Sequence, residues 1–382
     1  MFRRKIMTDL TELRENIDEI DRQIVELYEK RMEICKKVAE YKIRTGKKVF
    51  DKEREDAKLT TLGALTHNEF NRHGIQELFQ QIMSMSRKLQ YQLLTREGVA
   101  GRLPFTEVEA IEKKNVRVVF QGVEGAYTQA AMKAYFGEQV NSFCVEKWRD
   151  ALEAIMDGLA DFAVLPIENS TAGFVSEICD LLMKYDDYIV GEQIIKVEHK
   201  LLGVKGSSIS DIKTVFSHEQ GLMQCEEFLN QHRNWKQTAL GNTAMAAKRV
   251  ADDGDRTQAA IASAFAGEVF GLEVLAEDLC SNEVNATRFI IVSNQRIFAK
   301  DARKISICFE TPHRSGALYN ILSHFIYNNV NMSKIESRPV PGRNWEYRFF
   351  VDIEGNLNDS SVKNAVRGIM EEAINVKILG NY

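Results

Sequence analysis

Only five prolines interrupt the 382 residues, and none stands before Pro104. Proline breaks helix interiors, so the stretch from about residue 8 to residue 95 is free to run as long helices. The six cysteines (Cys35, Cys144, Cys179, Cys225, Cys280, Cys308) are scattered with no C-x-x-C pair. That argues against a disulfide frame or a zinc site and suits reduced core residues of a cytoplasmic protein. No H-E-x-x-H and no Cys/His cluster is present, so no metal is expected. No G-x-G-x-x-G follows any strand pattern, which argues against a bound dinucleotide, and no cofactor of another kind is expected. No run of about 18 apolar residues exists to span a membrane. The opening MFRRKIMTDL has basic residues without a following apolar core, so it is not read as a signal peptide, and Met7 is an alternative start. Acidic residues outnumber basic ones by 55 to 50, a net charge of −5. Without a global basic field nucleic acid is not an expected partner, and an anionic ligand must be met by a local cluster of Arg and Lys.

What is present falls into three rhythms. Residues 8–95 are rich in Glu, Lys, Arg, Leu and Ile. The periodicity predicts one long helix from Asp9 to about Thr45, stopped by Gly46, a shorter one beginning near Asp51, and a third from about Gly74 to Leu94. So long a helix buries little by itself, so an intertwined dimer is expected. Residues 96–114 hold the first proline and no firm period, and read as a linker. From 115 to 296 buried strands (VRVVF, FAVLP, YIVGEQIIKV, TVFSH, AAIAS, FIIVS) alternate with helices, which predicts an α/β region with a largely parallel sheet, as one domain or two lobes with a cleft. Residues 303–380 read β-α-β-β-α-β, an α+β ferredoxin-like unit.

The first rhythm contains an anomaly. Leu10, Leu13, Ile17, Ile20, Ile24 and Leu27 recur at steps of three and four, and Ile34, Val38 and Tyr41 continue the stripe. The step after Leu27 falls on Arg31, so a guanidinium stands where a core leucine belongs. An ion buried without its partner costs roughly 3–5 kcal/mol. Arg31 therefore either reaches out to solvent or meets an anion inside. Arg14 lies near the same stripe, Lys42 lies three turns beyond Arg31, and Arg54 opens the second helix beside Asp51 and Glu55. Ser86 and Gln90 stand at i, i+4 on the third helix. Taken singly, each charge could be no more than part of a solvated helix face.

Together the segments LRENIDEIDRQIVELYEKRMEICKKVAEYK, DKEREDA and LFQQIMSMSRKLQ resemble the all-helical chorismate mutase family. The resemblance implies that Arg14, Arg31, Lys42, Asp51, Arg54, Glu55, Ser86 and Gln90 are active-site residues, with Arg14 supplied across the interface of an intertwined homodimer. Chorismate is a dicarboxylate, and its pericyclic rearrangement to prephenate needs no nucleophile or proton transfer. The site must hold a compact conformer and stabilise charge growing on the breaking ether oxygen. Arginine forks suit the carboxylates; Lys42 and Gln90 suit the ether oxygen, and Glu55 the substrate hydroxyl.

In the second rhythm, NATRF (Asn285–Phe289) is weak evidence alone. With QGVEGAYT (Gln121–Thr128), PIENSTAGFV (Pro166–Val175) and GNTAMAA (Gly241–Ala247) it resembles the prephenate dehydratase family, whose fold is two-lobed and periplasmic-binding-protein-like with the site in the cleft. The resemblance implies that Thr287 assists departure of the substrate hydroxyl as a positioned donor, since threonine has a poor pKa for a general acid. It implies that Asn169, Ser170, Thr171, Asn242, Thr243, Arg288 and Phe289 hold the substrate. Gly122 and Gly125 allow close backbone approach, although this chain has Gly-Val-Glu-Gly where many members have Gly-Pro-x-Gly. Glu168 is open to a catalytic or a structural role, and His199 reads better as a structural histidine.

In the third, TPHRSGAL and KIESRPVPG resemble the amino-acid-binding ACT domain. That implies a feedback site for L-phenylalanine at Gly316, Ala317, Leu318, Glu336, Ser337 and Arg338. The chain thus reads as a bifunctional chorismate mutase–prephenate dehydratase with substrates chorismate and prephenate and effector L-phenylalanine, assembled as a homodimer or tetramer. Two alternatives stay open: a non-catalytic amino-acid sensor, and a dehydratase that also accepts arogenate.

Overall fold

The computed structural model describes residues 10–98, 103–280 and 284–382. Met7, the expected helix start at Asp9 and part of the 96–114 linker lie outside them. Three helices open the chain: α1 (Leu10–Thr45), α2 (Lys52–Ala64) and α3 (Glu69–Arg96). Asp51 caps α2, its Oδ1 accepting the Arg54 amide at 3.2 Å. The third helix begins five residues before the expected Gly74, because Asn68 caps it through the Asn71 amide at 2.8 Å. A glycine inside a helix costs only about 1 kcal/mol, and the cap offsets that.

The remaining helices are α4 (Tyr127–Phe136), α5 (Trp148–Met156), α6 (Ser176–Lys184), α7 (Glu219–Gln224), α8 (Glu226–Asn230), α9 (Thr243–Asp253), α10 (Ala264–Phe270), α11 (Ala317–Tyr327) and α12 (Ser360–Glu372). Strands up to the crossing between lobes are β1 (Thr106–Val108), β2 (Arg117–Gln121), β3 (Asn141–Val145), β4 (Phe162–Asn169), β5 (Gly173–Phe174) and β6 (Tyr188–Lys196). There follow β7 (Lys200–Gly203), β8 (Thr214–Ser217), β9 (Lys236–Ala239), β10 (Gln258–Ala262), β11 (Glu273–Ala276), β12 (Ala286–Ser293) and β13 (Ile297–Ala299). The last four are β14 (Lys304–Glu310), β15 (Met332–Pro339), β16 (Tyr347–Glu354) and β17 (Ile374–Asn381). With α11 and α12 they run β-α-β-β-α-β, in the sheet order β15-β16-β14-β17.

The chain forms two compact units that cut across its linear order. The first gathers the described residues up to 103 with 310–332 and 357–376, and so contains α1–α3 with α11 and α12. Within it α3 packs against α1, α2, α11 and α12. The apolar stripe of α1 stays uncovered: Ile17 and Ile20 are each 56% exposed and Leu27 64%.

The second unit takes residues 104–309, 333–356 and 377–382. It has two lobes, one around the sheet that contains β2, β3, β4, β6 and β12, the other around the five-stranded sheet β11-β7-β10-β8-β9. Neither is largely parallel, which corrects that expectation. The chain leaves the first lobe after β6 and returns as β12, which runs antiparallel to both β6 and β4. A strand that re-enters from a second lobe has no helical crossover to impose parallel direction. In the second lobe β7 runs antiparallel to β10 and β11, while β8 pairs in parallel with β9 and β10. The linker also holds a strand, β1, paired in parallel with β13. Leu165, Ile290, Val292, Ile178 and Leu182 anchor one side of the first lobe, and Val118, Phe120, Phe289 and Ile291 the other. The strict alternation along β12 decides which of its residues face the site.

Candidate active sites

In the first unit a cavity of about 1100 Å³ opens between α1, α2 and α3. It brings together seven of the eight residues expected there: Arg31, Lys42, Asp51, Arg54, Glu55, Ser86 and Gln90. The eighth, Arg14, is exposed on α1 and does not line it. Nine cationic side chains face three acidic ones around the cavity, against a net −5 for the whole chain. Arg31 donates to Ser86 Oγ, and to Cys35 Sγ at 3.8 Å. Lys42 Nζ donates to the Val49 carbonyl at 2.7 Å. Among the described residues Arg31, Lys42 and Arg54 have no carboxylate partner, because Arg87 takes up Glu55 and the Asp51 side chain caps α2. Burial lowers the Lys42 pKa, with Asp51 and Glu55 partly opposing it. Gln90 Nε2 donates to the Ser86 carbonyl at 3.1 Å, and its buried Oε1 has no partner among the described residues. Unneutralised cations around a concave site call for an anionic ligand.

In the second unit the geometry starts from a proline. Pro166 cannot donate to a strand ladder, and β4 slips there: Phe289 pairs with Pro166 but Arg288 with Glu168, leaving Ile167 as the extra residue of a bulge. The bulge sets Asn169 directly opposite Thr287, and such re-aiming of a side chain is what bulges beside active sites do. A chain of donors then runs from the second lobe to the first. Gln224 Nε2 of α7 donates to Thr171 Oγ1 at 3.0 Å, Thr171 Oγ1 donates to Asn169 Oδ1 at 2.7 Å, and Asn169 Nδ2 donates to Thr287 Oγ1 at 3.0 Å. Thr287 therefore accepts inside the protein and keeps its own O–H to donate outward. Gln224 is held in turn by His199 Nε2 at 3.0 Å, and His199 Nδ1 lies 3.3 Å from the Tyr127 hydroxyl. Burial lowers the His199 pKa, the Gln224 bond partly countering it, so the imidazole is neutral at pH 7.

A Cβ at Gly221 would fall 2.6 Å from Ser217 Oγ, 3.5 Å from Thr243 Cγ2 and 3.7 Å from His199 Nε2, so α7 approaches closely only as glycine and Thr243 sits beside this network. Gly125, at φ +80°, likewise brings its loop against Ala266 of α10. Asn242 caps α9 through the Met245 amide at 2.7 Å. Ser170 laces the loop to β12, donating to the Val284 carbonyl at 2.9 Å and accepting the Ala286 amide at 3.0 Å. Arg288 is not brought to Thr287. As the next residue of a strand it points to the opposite face, where it pairs with Asp352 at 2.9 Å and lies 3.8 Å from Glu168 and Glu192. Glu168 shares that face, ion-paired with Lys334 at 2.8 Å, which gives it a structural partner. Phe289 is core.

Residues 13–91 match the family model of chorismate mutase type II, and residues 118–297 that of prephenate dehydratase. Over 383 aligned residues the chain is 33% identical to the bifunctional chorismate mutase/prephenate dehydratase of Buchnera aphidicola subsp. Schizaphis graminum, covering 98% of this chain and 96% of that one. The chain belongs to the bifunctional chorismate mutase/prephenate dehydratase family. Two solved structures are similar over 70% of it. One is a prephenate dehydratase in complex with L-Phe from Arthrobacter aurescens, 32% identical with a TM-score of 0.65 over 89% of that chain. The other is described as a novel type of quorum quenching acylase, 30% identical with a TM-score of 0.64 over 97% of that chain. Members of the bifunctional family match from end to end and include the helical segment, so both enzyme activities are assigned here.

For this family member the motifs missed three parts of the second network, Gln224, His199 as a link rather than an isolated core residue, and Tyr127. Gln224 lies on a helix whose sequence carries no marker of the site, whereas Tyr127 lies inside the QGVEGAYT motif without being singled out there. The residues expected for the effector divide between the units: Gly316, Ala317 and Leu318 open α11 in the first, while Glu336, Ser337 and Arg338 end β15 in the second. Arg338 is bonded to Asp180 at 2.8 Å. Among the described residues no cluster fit for a metal ion and no helix long and apolar enough to cross a membrane is found.

Behind Gln224, Cys225 Sγ lies 3.3 Å from Cys280 Sγ. The bond from the Cys225 thiol, aided by the His199 amide against a smaller effect of burial, lowers the Cys280 pKa to about 7. The Cys225–Cys280 contact thus favours a thiolate at Cys280, and iodoacetamide is expected to alkylate it near neutrality ahead of the more exposed Cys144. Peptide mass spectrometry across pH checks this; Cys144 labelling first at every pH would refute it.

Proposed function

We propose that the helical cavity rearranges chorismate and that the cleft around Thr287 converts the resulting prephenate to phenylpyruvate. The observation that carries the reading is the set of cations without a carboxylate partner among the described residues, Arg31, Lys42 and Arg54, in one cavity with Ser86 and Gln90. Arg31 and Arg54 suit the substrate carboxylates, with Arg14 of a second copy completing them. Lys42 and Gln90 face the ether oxygen, Glu55 accepts from the hydroxyl, and Asp51 fixes the α2 terminus. A rate gain of about 10⁶ needs only about 8 kcal/mol, which a few preorganised charge-assisted bonds supply. The uncovered stripe of α1 supports an intertwined homodimer, either alone or paired into a tetramer.

In the dehydratase cleft Thr287 donates to the departing hydroxyl as the ring carboxylate leaves as carbon dioxide, its bonding pair expelling hydroxide and making the ring aromatic. The series of aligned donors behind it polarises its O–H. Asn169, Thr171 and Thr243 supply polar contacts. Arg288, facing the other way, acts through the packing of β12 against Asp352. The domains are 8–95 for the mutase, 96–114 as linker, 115–296 for the two-lobed dehydratase with a periplasmic-binding-protein-like plan, and 303–380 as an ACT domain. The β-α-β-β-α-β order and a relative solved with L-Phe support L-phenylalanine as a feedback effector, with Gly316–Leu318 and Glu336–Arg338 as its contacts. The free cysteines suit a cytoplasmic setting.

Chorismate given alone to the purified chain is expected to yield prephenate, then phenylpyruvate after a lag, and millimolar-scale L-phenylalanine to slow the second phase. Prephenate accumulating without phenylpyruvate would remove the dehydratase assignment. No loss of chorismate from folded protein would favour a sensor.

A further inference from the structure

One wall of the helical cavity has no part in the chemistry above. Arg87 follows Ser86 on α3 and lines the cavity, yet its side chain is only 6% exposed. Its NH1 donates to Glu55 Oε2, and its Nε to Glu372 Oε1 at 2.9 Å. The guanidinium lies over the Phe50 ring, 4.9 Å from the centroid. Glu372 ends α12, is 2% exposed, and also meets His324 Nε2 of α11 at 3.0 Å. All of these residues belong to the first compact unit.

A planar guanidinium bridges the two carboxylates with donors in a fixed fork, whereas a lysine ammonium is a point charge on a flexible stem. Removing one member of a buried ionic set leaves the others uncompensated, so the three act as a unit. With Oε2 of Glu55 engaged, Oε1 remains to accept from a ligand, since a carboxylate offers acceptor sites on both oxygens. We propose that Arg87 is a positioning residue of the mutase reaction, holding the Glu55 carboxylate aimed into the cavity, and that Glu372 of α12 holds Arg87. The inference rests on the reading of Glu55 as acceptor of the substrate hydroxyl. It makes the mutase step depend on a helix 285 residues further along the chain.

Chorismate turnover by the full chain tests it in Arg87→Met, Arg87→Lys, Glu372→Gln, Glu55→Gln and the doubles Arg87→Met/Glu55→Gln and Arg87→Met/Glu372→Gln. Circular dichroism and prephenate turnover monitor folding. Arg87→Met is expected to lower mutase kcat/KM roughly tenfold or more, but less than about twofold where Glu55 is already glutamine. Arg87→Lys recovers part of the loss. Glu372→Gln lowers kcat/KM several-fold and adds nothing to Arg87→Met. Equal losses from Arg87→Met in both backgrounds, as a packing role gives, would overturn the proposal. Wild-type turnover by Glu372→Gln would overturn the part assigned to α12. Unimpaired turnover by Glu55→Gln would instead remove the reading of Glu55 on which the proposal rests. Should Arg87→Met fail to fold, Arg87→Lys and Glu372→Gln decide: both at wild-type turnover would overturn it.

Discussion

Lys42→Ala is expected to lower chorismate turnover by roughly 10²–10³-fold, the usual cost of removing a preorganised donor from a developing oxyanion. Prephenate turnover by the same protein, in the other unit, reports on its fold. The Lys42 ammonium donates to one backbone carbonyl and meets no carboxylate among the described residues, so two of its three donors remain for a ligand. Arg31→Ala is expected to cost a similar factor, and Arg31→Lys nearly as much, because a point charge cannot reproduce a fork. The pH profile gives a second test. Burial lowers the Lys42 pKa, and the protonated form is the active one. The cation is therefore lost as pH rises, and mutase kcat/KM is expected to fall on an alkaline limb below the ordinary lysine range. Lys42→Arg should move that limb upward, whatever it does to the maximum. A profile flat through the alkaline range would sink the role given to Lys42.

Thr287→Val is expected to lower prephenate turnover by roughly 10²-fold or more, with chorismate turnover as the internal control. Valine keeps the shape of the side chain and deletes the hydroxyl. It also leaves Asn169 Nδ2 with one acceptor fewer, so the substitution removes the last donor of a connected series rather than an isolated group. Thr287→Ser should retain most of the rate. Asn169→Ala should approach the effect of Thr287→Val, because the same side chain organises Thr171 and the loop amides of Thr171 and Ala172. Arg288→Gln should act differently: it breaks the pair with Asp352, so its loss should appear as lowered thermal stability along with lowered rate. Phenylpyruvate formation at the wild-type rate by folded Thr287→Val would refute the role of the hydroxyl.

Much of the first site was legible because it is local. Arg31 in phase with an apolar stripe, Lys42 further along the same face, and Ser86 with Gln90 at i, i+4 are consequences of a 3.6-residue period. Helices then need only to pack for those side chains to converge. Arg87 was invisible for the opposite reason: on a charge-rich helix it reads as one more solvated cation, and its partner Glu372 is not on any neighbouring turn. The second site was half legible. Thr287 and Asn169 lie in motifs, but placing the catalytic Thr287 and a substrate-binding Arg288 in one site ignored the two-residue alternation that FIIVS, read as a strand, already implied.

By itself the sequence determined the helices of residues 10–96, the alternation of strands and helices in the middle, and the closing β-α-β-β-α-β order. It also determined the chemical families of both sites. All of these follow from spacing along the chain, where the periods of helix and strand are written directly. The tertiary structure alone decided that β12 returns antiparallel between β4 and β6, and that a bulge at Pro166 sets Asn169 against Thr287. It alone joined Gln224 and His199 to that pair, and α12 to the mutase cavity through Arg87. Each of these depends on which distant segments share a buried surface, and hydrogen-bond and charge partners chosen across such a surface leave no period in the sequence to read.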